Sequence, residues 1–433
     1  MPSLSLAFII GLFVGSAVAG QLSSTSLSIL LVALLFAGRY LKSERLRTLT
    51  FFFAFFTVGV LRMAIPDVPL HIDGLVASFE PFRNQLSEGF ARYGITGDEN
   101  AVVTAMSLGD RSGVSPQLRS IYSQANASYV IALSGMHLAI IYFMLSWLVM
   151  RIMLWIHAIP DLLWEKLPVE RNTSLRNTIK KLFRFRPSEQ AWRNLTTILI
   201  LSVIWLYVIL VGMSPSVVRS ALMLSIYGIS RMLFRQLDTI TVLALTAFVT
   251  LMLSPFSLFD VGFQMSYLAV FGIGVYMPRL MQLVYKEDCN WMEISSRSVL
   301  RNSLLWVYRT LALSFSAQIM VMPLVAFYFH ALPCYGLLSS LVVSVTAMLI
   351  VGLSFAFLIS LFFPFAFVSE WVAYILNAVT HFQNVFLEHV AALPFAVADV
   401  NINIWQLLII YVIIFCVSRI AFILLRTSFP SQY

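Results

Sequence analysis

The chain has 433 residues, of which 60% are hydrophobic and only 11% charged, with a mean hydropathy of +0.87. That balance excludes a soluble globule with one apolar core and defines an integral membrane protein. The net charge of +8 gives little support to a nucleic-acid-binding surface, because most basic residues fall in loops between apolar runs, where membrane orientation accounts for them.

The first apolar run, residues 4–20, ends in Ala17-Val18-Ala19, which resembles a signal-peptidase site. No Lys or Arg precedes it, so it reads as a retained helix. Gly11, Gly15 and Ala19 give this helix a small-residue stripe suited to packing within the chain. Runs 26–38 and 48–65 follow, the latter with Phe51, Phe52, Phe53, Phe55 and Phe56 read as lipid-facing bulk. The loop 39–47 between them carries Arg39, Lys42, Arg45 and Arg47 against Glu44 and is expected to be cytoplasmic.

Alternation then puts residues 66–128 outside, where acidic residues slightly outnumber basic ones. Phe79, Phe82, Leu86 and Phe90 recur there at helical spacing, and Thr96 or Asp98 can cap a second helix ending near Leu108. A pair of amphipathic helices lying on the membrane surface is expected.

Later apolar runs cover residues 129–156, 195–213, 217–232, 239–254, 264–279, 310–330, 336–362 and 402–425. At roughly 20 residues per crossing, the fold class is all-α, a polytopic transmembrane helical bundle of about 11 spans with amphipathic interfacial helices. The expected organisation is N-terminal membrane helices in 1–75, outer amphipathic helices in 76–128 and a transmembrane domain in 129–433. Basic loops after the fourth span and at 279–309 fall on the cytoplasmic side of this scheme. Residues 336–368 are long for one crossing, and 370–395 is amphipathic. The reading preferred here is a hairpin within 336–368.

Against this apolar background stand polar residues that a lipid-facing helix does not need, since a charge at the bilayer centre costs about 2.5 to 3.5 kcal/mol even on the lenient insertion scale. Ser134 and His137 share one helix face, and Gly135 between them permits close helix approach. Ser214, Pro215, Ser216 and Arg219 open the sixth span, and Asp260 and Gln264 open the eighth. Gln318 lies within the ninth span and His330 at its outer end.

Ser134, His137, Ser214, Arg219, Asp260, Gln264 and His330 reach similar depth in the outer half of the membrane in the expected topology, so a common polar cavity follows, with Arg219 and Asp260 as mutual counter-ions. Plainer roles compete at each position. Asp260 suits a helix N-cap, Arg219 can snorkel, and His137 can serve a structural hydrogen bond. Cys289, Cys334 and Cys416 are far apart and show no CxxC spacing, which gives no sign of a disulfide framework or zinc knuckle. HExxH, GxxxxGK[ST] and GxSxG are absent, and no catalytic residue, metal or cofactor is expected.

The order of these signatures resembles the membrane domain of the ComEC competence family. The resemblance rests on Leu108-Gly109-Asp110-Arg111-Ser112-Gly113, Ser128 through His137, Met213-Ser214-Pro215-Ser216-Val217-Val218-Arg219, and Leu258-Phe259-Asp260-Val261-Gly262-Phe263-Gln264. It continues through Gln318, Pro323 and Phe329-His330 and covers roughly residues 76–425. It implies a channel that passes one DNA strand inward across the bacterial cytoplasmic membrane during natural transformation. Asp110 and Arg111 would then organise the outer mouth, Ser134, Gly135 and His137 the helix beside the path, and Ser216, Arg219, Asp260 and Gln264 the facing wall. Arg119, Tyr122 and Tyr129 would add cations and base-stacking faces.

Many relatives carry an outer oligonucleotide-binding barrel that has no room here between the third span and residue 77, and a metal-binding HxHxDH domain of which nothing follows residue 425. A nuclease step is thus expected from a separate protein, with an outer DNA receptor and a cytoplasmic helicase as further partners beside single-stranded DNA and membrane lipids. Two other readings are a transporter of another substrate on the same fold, and an intramembrane metal-dependent hydrolase using His137 or His330 with Asp260. The sequence leaves the oligomeric state open.

Overall fold

Almost every apolar run of the sequence folds as one helix. The structure, a computed structural model, describes residues 2–18, 24–40, 43–64, 73–166, 189–285, 299–361 and 366–428. Most of two basic stretches (167–188 and 286–298), Cys289 and Ala19 lie outside the described residues. In chain order the helices are α1 Pro2–Val18, α2 Ser24–Tyr40, α3 Glu44–Ala64, α4 Asp73–Arg92, α5 Gly97–Leu108, α6 Pro116–Gln124, α7 Ser128–Ile131 and α8 Gly135–Lys166. There follow α9 Glu189–Leu210, α10 Pro215–Met232, α11 Thr239–Leu253, a 3₁₀ turn Pro255–Phe259, α12 Val261–Tyr285 and α13 Val299–Phe329. Strand β1 Ala331–Pro333, α14 Gly336–Ser360, α15 Ala366–Ala391, β2 Val397–Asp399 and α16 Ile404–Ser428 complete the chain.

Seven of these, α3, α8, α9, α12, α13, α14 and α16, are long and apolar enough to cross a membrane. The other four expected spans, α1, α2, α10 and α11, are also single helices, of 17, 17, 18 and 15 residues. In α16 only 6% of the apolar window 404–421 is buried, so nearly all its side chains face outward, a surface that only lipid accommodates.

The first three helices join the bundle through small residues. A Cβ on Gly11 would overlap the Phe56 carbonyl, and one on Gly59 would overlap that of Phe8, so α1 and α3 touch backbone to backbone. The glycine stripe packs within the chain. Phe8 and Phe55 both contact the Phe248 ring of α11, at 4.8 and 5.5 Å, which corrects the purely lipid-facing reading of the phenylalanine run, although Phe53 is exposed. Arg62 donates from Nε to the Met252 carbonyl at 2.7 Å and from a terminal nitrogen to that of Leu253 at 3.0 Å, placing a cation at the negative end of α11. Gly59→Val is expected to force α1 from α3 at about 1 to 3 kcal/mol, the cost of overpacking, read as a lower unfolding temperature of the purified protein in detergent.

Two expectations are corrected. The hairpin expected within 336–368 is replaced, among the described residues, by one uninterrupted helix, Gly336–Ser360. The amphipathic stretch returns beside it as α15, in antiparallel register fixed by Thr346 with Gln383 and Ser360 with Ser369. The far ends of the pair are tied by β1 and β2, with Ala331 opposite Asp399. The polar residues that make α15 look like a surface helix therefore include inward-facing ones.

The helices α4 and α5 fold as a hairpin against the bundle, α4 through Leu86 and Phe90 with the rest of its length largely exposed. Arg83 of α4 lies beside Gly212 in the α9–α10 turn, and Phe90 stacks on Phe357 near the C-terminal end of α14, with centroids 5.0 Å apart. Two bonds close the turn, from Gly94 N–H to the Ala91 carbonyl and from Ile95 N–H to that of Phe90, with Gly94 at φ +87°. Helix α5 then runs back until the Ser107 carbonyl accepts from the Tyr207 hydroxyl at 2.7 Å. The pair is a helical hairpin whose second arm is the buried one. All eight residues from Ala101 to Leu108 are buried, as an all-round apolar helix requires.

Candidate functional site

Helix α10 gathers the polar residues on two faces. One faces α8, where Ser216 Oγ donates to the Leu133 carbonyl at 2.8 Å. On the same face, a Cβ on Gly135 would stand 2.7 Å from Ser220 Oγ, so the glycine permits the approach. The sequence run 129–156 is broken just here, with α7 ending at Ile131 and α8 starting at Gly135. Ser134 is thus the residue before the helix, and His137 lies in its first turn. His137 Nδ1 accepts from the Ser134 backbone N–H at 3.1 Å and lies 3.0 Å from Ser134 Oγ. This is half of a capping box with imidazole where a Glu or Gln usually serves. A ring nitrogen that accepts a backbone N–H carries no proton, so a neutral ring holds its proton on Nε2, which is buried without a hydrogen-bond partner.

The other face of α10 meets α12. A terminal nitrogen of Arg219 donates to the Gly262 carbonyl at 3.0 Å, and the other lies 3.9 Å from Asp260 Oδ2. The guanidinium carbon stands 5.9 Å from the Phe263 ring centroid, close enough for a cation–π contribution. The Arg219 side chain is 6% exposed and that of Asp260 54%, so the pair joins a buried cation to a solvated anion. Asp260 Oδ2 also accepts from the Phe263 N–H at 3.0 Å, capping α12. Arg219 Nε is buried without a partner, as is Ser214 Oγ. Gln264 donates to the Leu258 carbonyl and accepts from the Tyr328 hydroxyl, both at 3.0 Å, linking α12 to α13.

Other expected residues lie apart from this centre. Gln318 Nε2 reaches Ser340 Oγ at 2.8 Å and joins α13 to α14. His330 is exposed with φ +54°, and its carbonyl accepts from Val400 N–H beside the β1–β2 ribbon, so its ring does not enter the buried cluster. Asp110 accepts from the Ser112 N–H at 2.9 Å, folding the loop that presents Arg111. Arg111 and Arg119 are exposed, and desolvation followed by the Arg119 charge lowers the Arg111 pKa, so the two cations share one surface.

Tyr122 is fully buried and gives no face to a base, contrary to expectation. Its hydroxyl donates to Asn384 Oδ1 at 2.7 Å and accepts from Gln383 Nε2 at 3.0 Å, while Thr346 donates to Gln383 Oε1 at 2.6 Å. Burial pushes this phenol above its ordinary range against the opposing Gln383 bond, so it remains a donor at physiological pH. The network pins α6 to the α14–α15 pair. The polar positions Gln383 and Asn384 were visible in the sequence, but their partner 260 residues away was not. Among the described residues no group of three or more His, Cys, Asp and Glu is placed to hold a metal ion.

These features define a polytopic α-helical membrane protein with a buried cation and several under-satisfied polar atoms at the helix starts of α8 and α10. Residues 106–422, which contain every expected site residue, match the family described as competence protein, and the chain belongs to that family. It is similar to ComE operon protein 3 of Bacillus subtilis (strain 168), with 25% identity over 176 residues. That stretch is 41% of this chain and 18% of the relative, so the match spans less than a fifth of the relative's length. No solved structure matches the chain.

Proposed function

We propose that this protein serves DNA uptake by passing a single strand inward across the bacterial cytoplasmic membrane during natural transformation. Membership of the competence family carries the reading. The geometry supports it through Arg219, a buried guanidinium whose described ion-pair partner is 3.9 Å away and half-exposed, and whose Nε lacks a partner. A passing phosphodiester would supply the acceptor that this group lacks, in a polar setting flanked by Ser214 and Gln264. The exposed pair Arg111 and Arg119 would draw the strand toward that centre.

The protein itself provides a path in this reading. Strand separation, degradation of the second strand and the pulling force come from partners, namely a nuclease, an outer DNA receptor and a cytoplasmic helicase. Reversing both outer charges, Arg111→Glu with Arg119→Glu, is expected to reduce uptake of labelled DNA about tenfold or more, since each lost phosphate contact weakens a salt-dependent attraction. Immunoblotting of the membrane fraction would check that the variant accumulates normally. Unchanged uptake at normal protein levels would remove these arginines from the path.

A further inference from the structure

The tip of the α4–α5 hairpin bounds an open cavity of about 590 Å³ that the site above does not use. Arg92 and Tyr93 line one wall, and Glu370, Tyr374 and Asn377 of α15 the other. The cavity lies within the first three turns of α15, at the end of the α14–α15 pair opposite the β1–β2 ribbon.

Two features select its ligand. First, Arg92 and Glu370 are both exposed and neither forms an ion pair among the described residues, so a cation and an anion face one space from opposite walls. Second, the outer face of α15 beside the cavity presents Phe367, Trp371, Tyr374 and Ile375, exposed by 64, 62, 72 and 43%. Aromatic rings and an apolar strip next to paired opposite charges are what a phospholipid requires at the headgroup level, with acyl chains along the strip and the polar group in the recess.

We propose that this cavity binds a phospholipid whose headgroup joins a phosphodiester to a primary ammonium, of the phosphatidylethanolamine type. Arg92 takes the phosphate oxygens, and Glu370 takes the ammonium, whose charge also faces the Tyr93 and Tyr374 rings. The wall is built beforehand: the two capping bonds at Gly94 fix the end of α4, and the Tyr93 ring packs edge-on to Phe357 at 5.4 Å. A glycerol headgroup leaves Glu370 without a cation, and a choline headgroup offers it no N–H donor. The inference is independent of DNA passage.

Native mass spectrometry of the full chain in detergent, offered phosphatidylethanolamine, phosphatidylglycerol and phosphatidylcholine, tests it. The wild type should retain phosphatidylethanolamine over the other two by about tenfold, the value of one charge-assisted hydrogen bond. Glu370→Gln should bring that lipid down to the level of phosphatidylglycerol, and Arg92→Gln should reduce retention of all three. Equal retention of the three lipids by the wild type would overturn the proposal, as would retention unchanged by both substitutions. Displacement of the lipid by soluble phosphoethanolamine at equal concentration would assign the cavity to a free solute, and Arg92-dependent binding of a single-stranded oligonucleotide would assign it to the DNA path; either overturns the lipid proposal.

Discussion

Arg219→Ala is expected to reduce DNA uptake by about tenfold or more while leaving the thermal stability of the purified protein nearly unchanged. A buried cation is costly to hold, and its removal costs little when the remaining partner stays solvated. Asp260 meets that condition, being 54% exposed and bonded to the Phe263 N–H. The Gly262 carbonyl loses one donor, a cost of about 1 to 3 kcal/mol set against relief of the desolvated guanidinium. Asp260→Asn should be much milder, because an amide oxygen still caps α12 and the direct bond from Arg219 to Gly262 remains. Measuring uptake and melting temperature together separates the two possible roles. A fall in both would make Arg219 a strut between α10 and α12, whereas uptake lost at constant stability places it on the path.

The second large effect concerns His137. His137→Ala removes the acceptor for the Ser134 N–H and opens a void where a wholly buried ring stood, so it should destabilise the protein by about 2 to 4 kcal/mol, combining a lost cap with a cavity. His137→Gln keeps an acceptor at the same helix position, as in a capping box, and should recover most of that stability. Uptake should follow stability across the two variants. If the Gln variant were as stable as wild type yet inactive, the unpartnered Nε2 would be acting on the strand directly rather than holding the start of α8.

The contrast between α8 and α5 shows what the sequence made legible. Apolar runs fixed the place of the spanning helices because a crossing needs one continuous stretch of about 20 residues. Residues 101–108 are equally apolar but too short to cross, and the acidic residues before them suggested a surface position. Their burial depends on a pocket formed by α14, α15 and α9, which no local pattern encodes.

Helix α15 misleads in the opposite direction. Glu370, His381 and Glu388 are exposed as amphipathicity implies, but Gln383 is buried, bonded to Tyr122 and Thr346. At the site, the pairing of Arg219 with Asp260 was legible, since each charge near apolar helices needs an opposite one. The separate position of His330 was not, because it follows from the β1–β2 ribbon, whose strands are three residues long.

The most direct measurement is the amount of labelled DNA that reaches a nuclease-protected cytoplasmic fraction in the source organism, with the gene deleted and then restored. The account predicts loss of protected DNA on deletion, recovery with the wild-type chain, and protected material in single-stranded form. Undiminished uptake after deletion would contradict it, and protected DNA that remained double-stranded would contradict passage of a single strand.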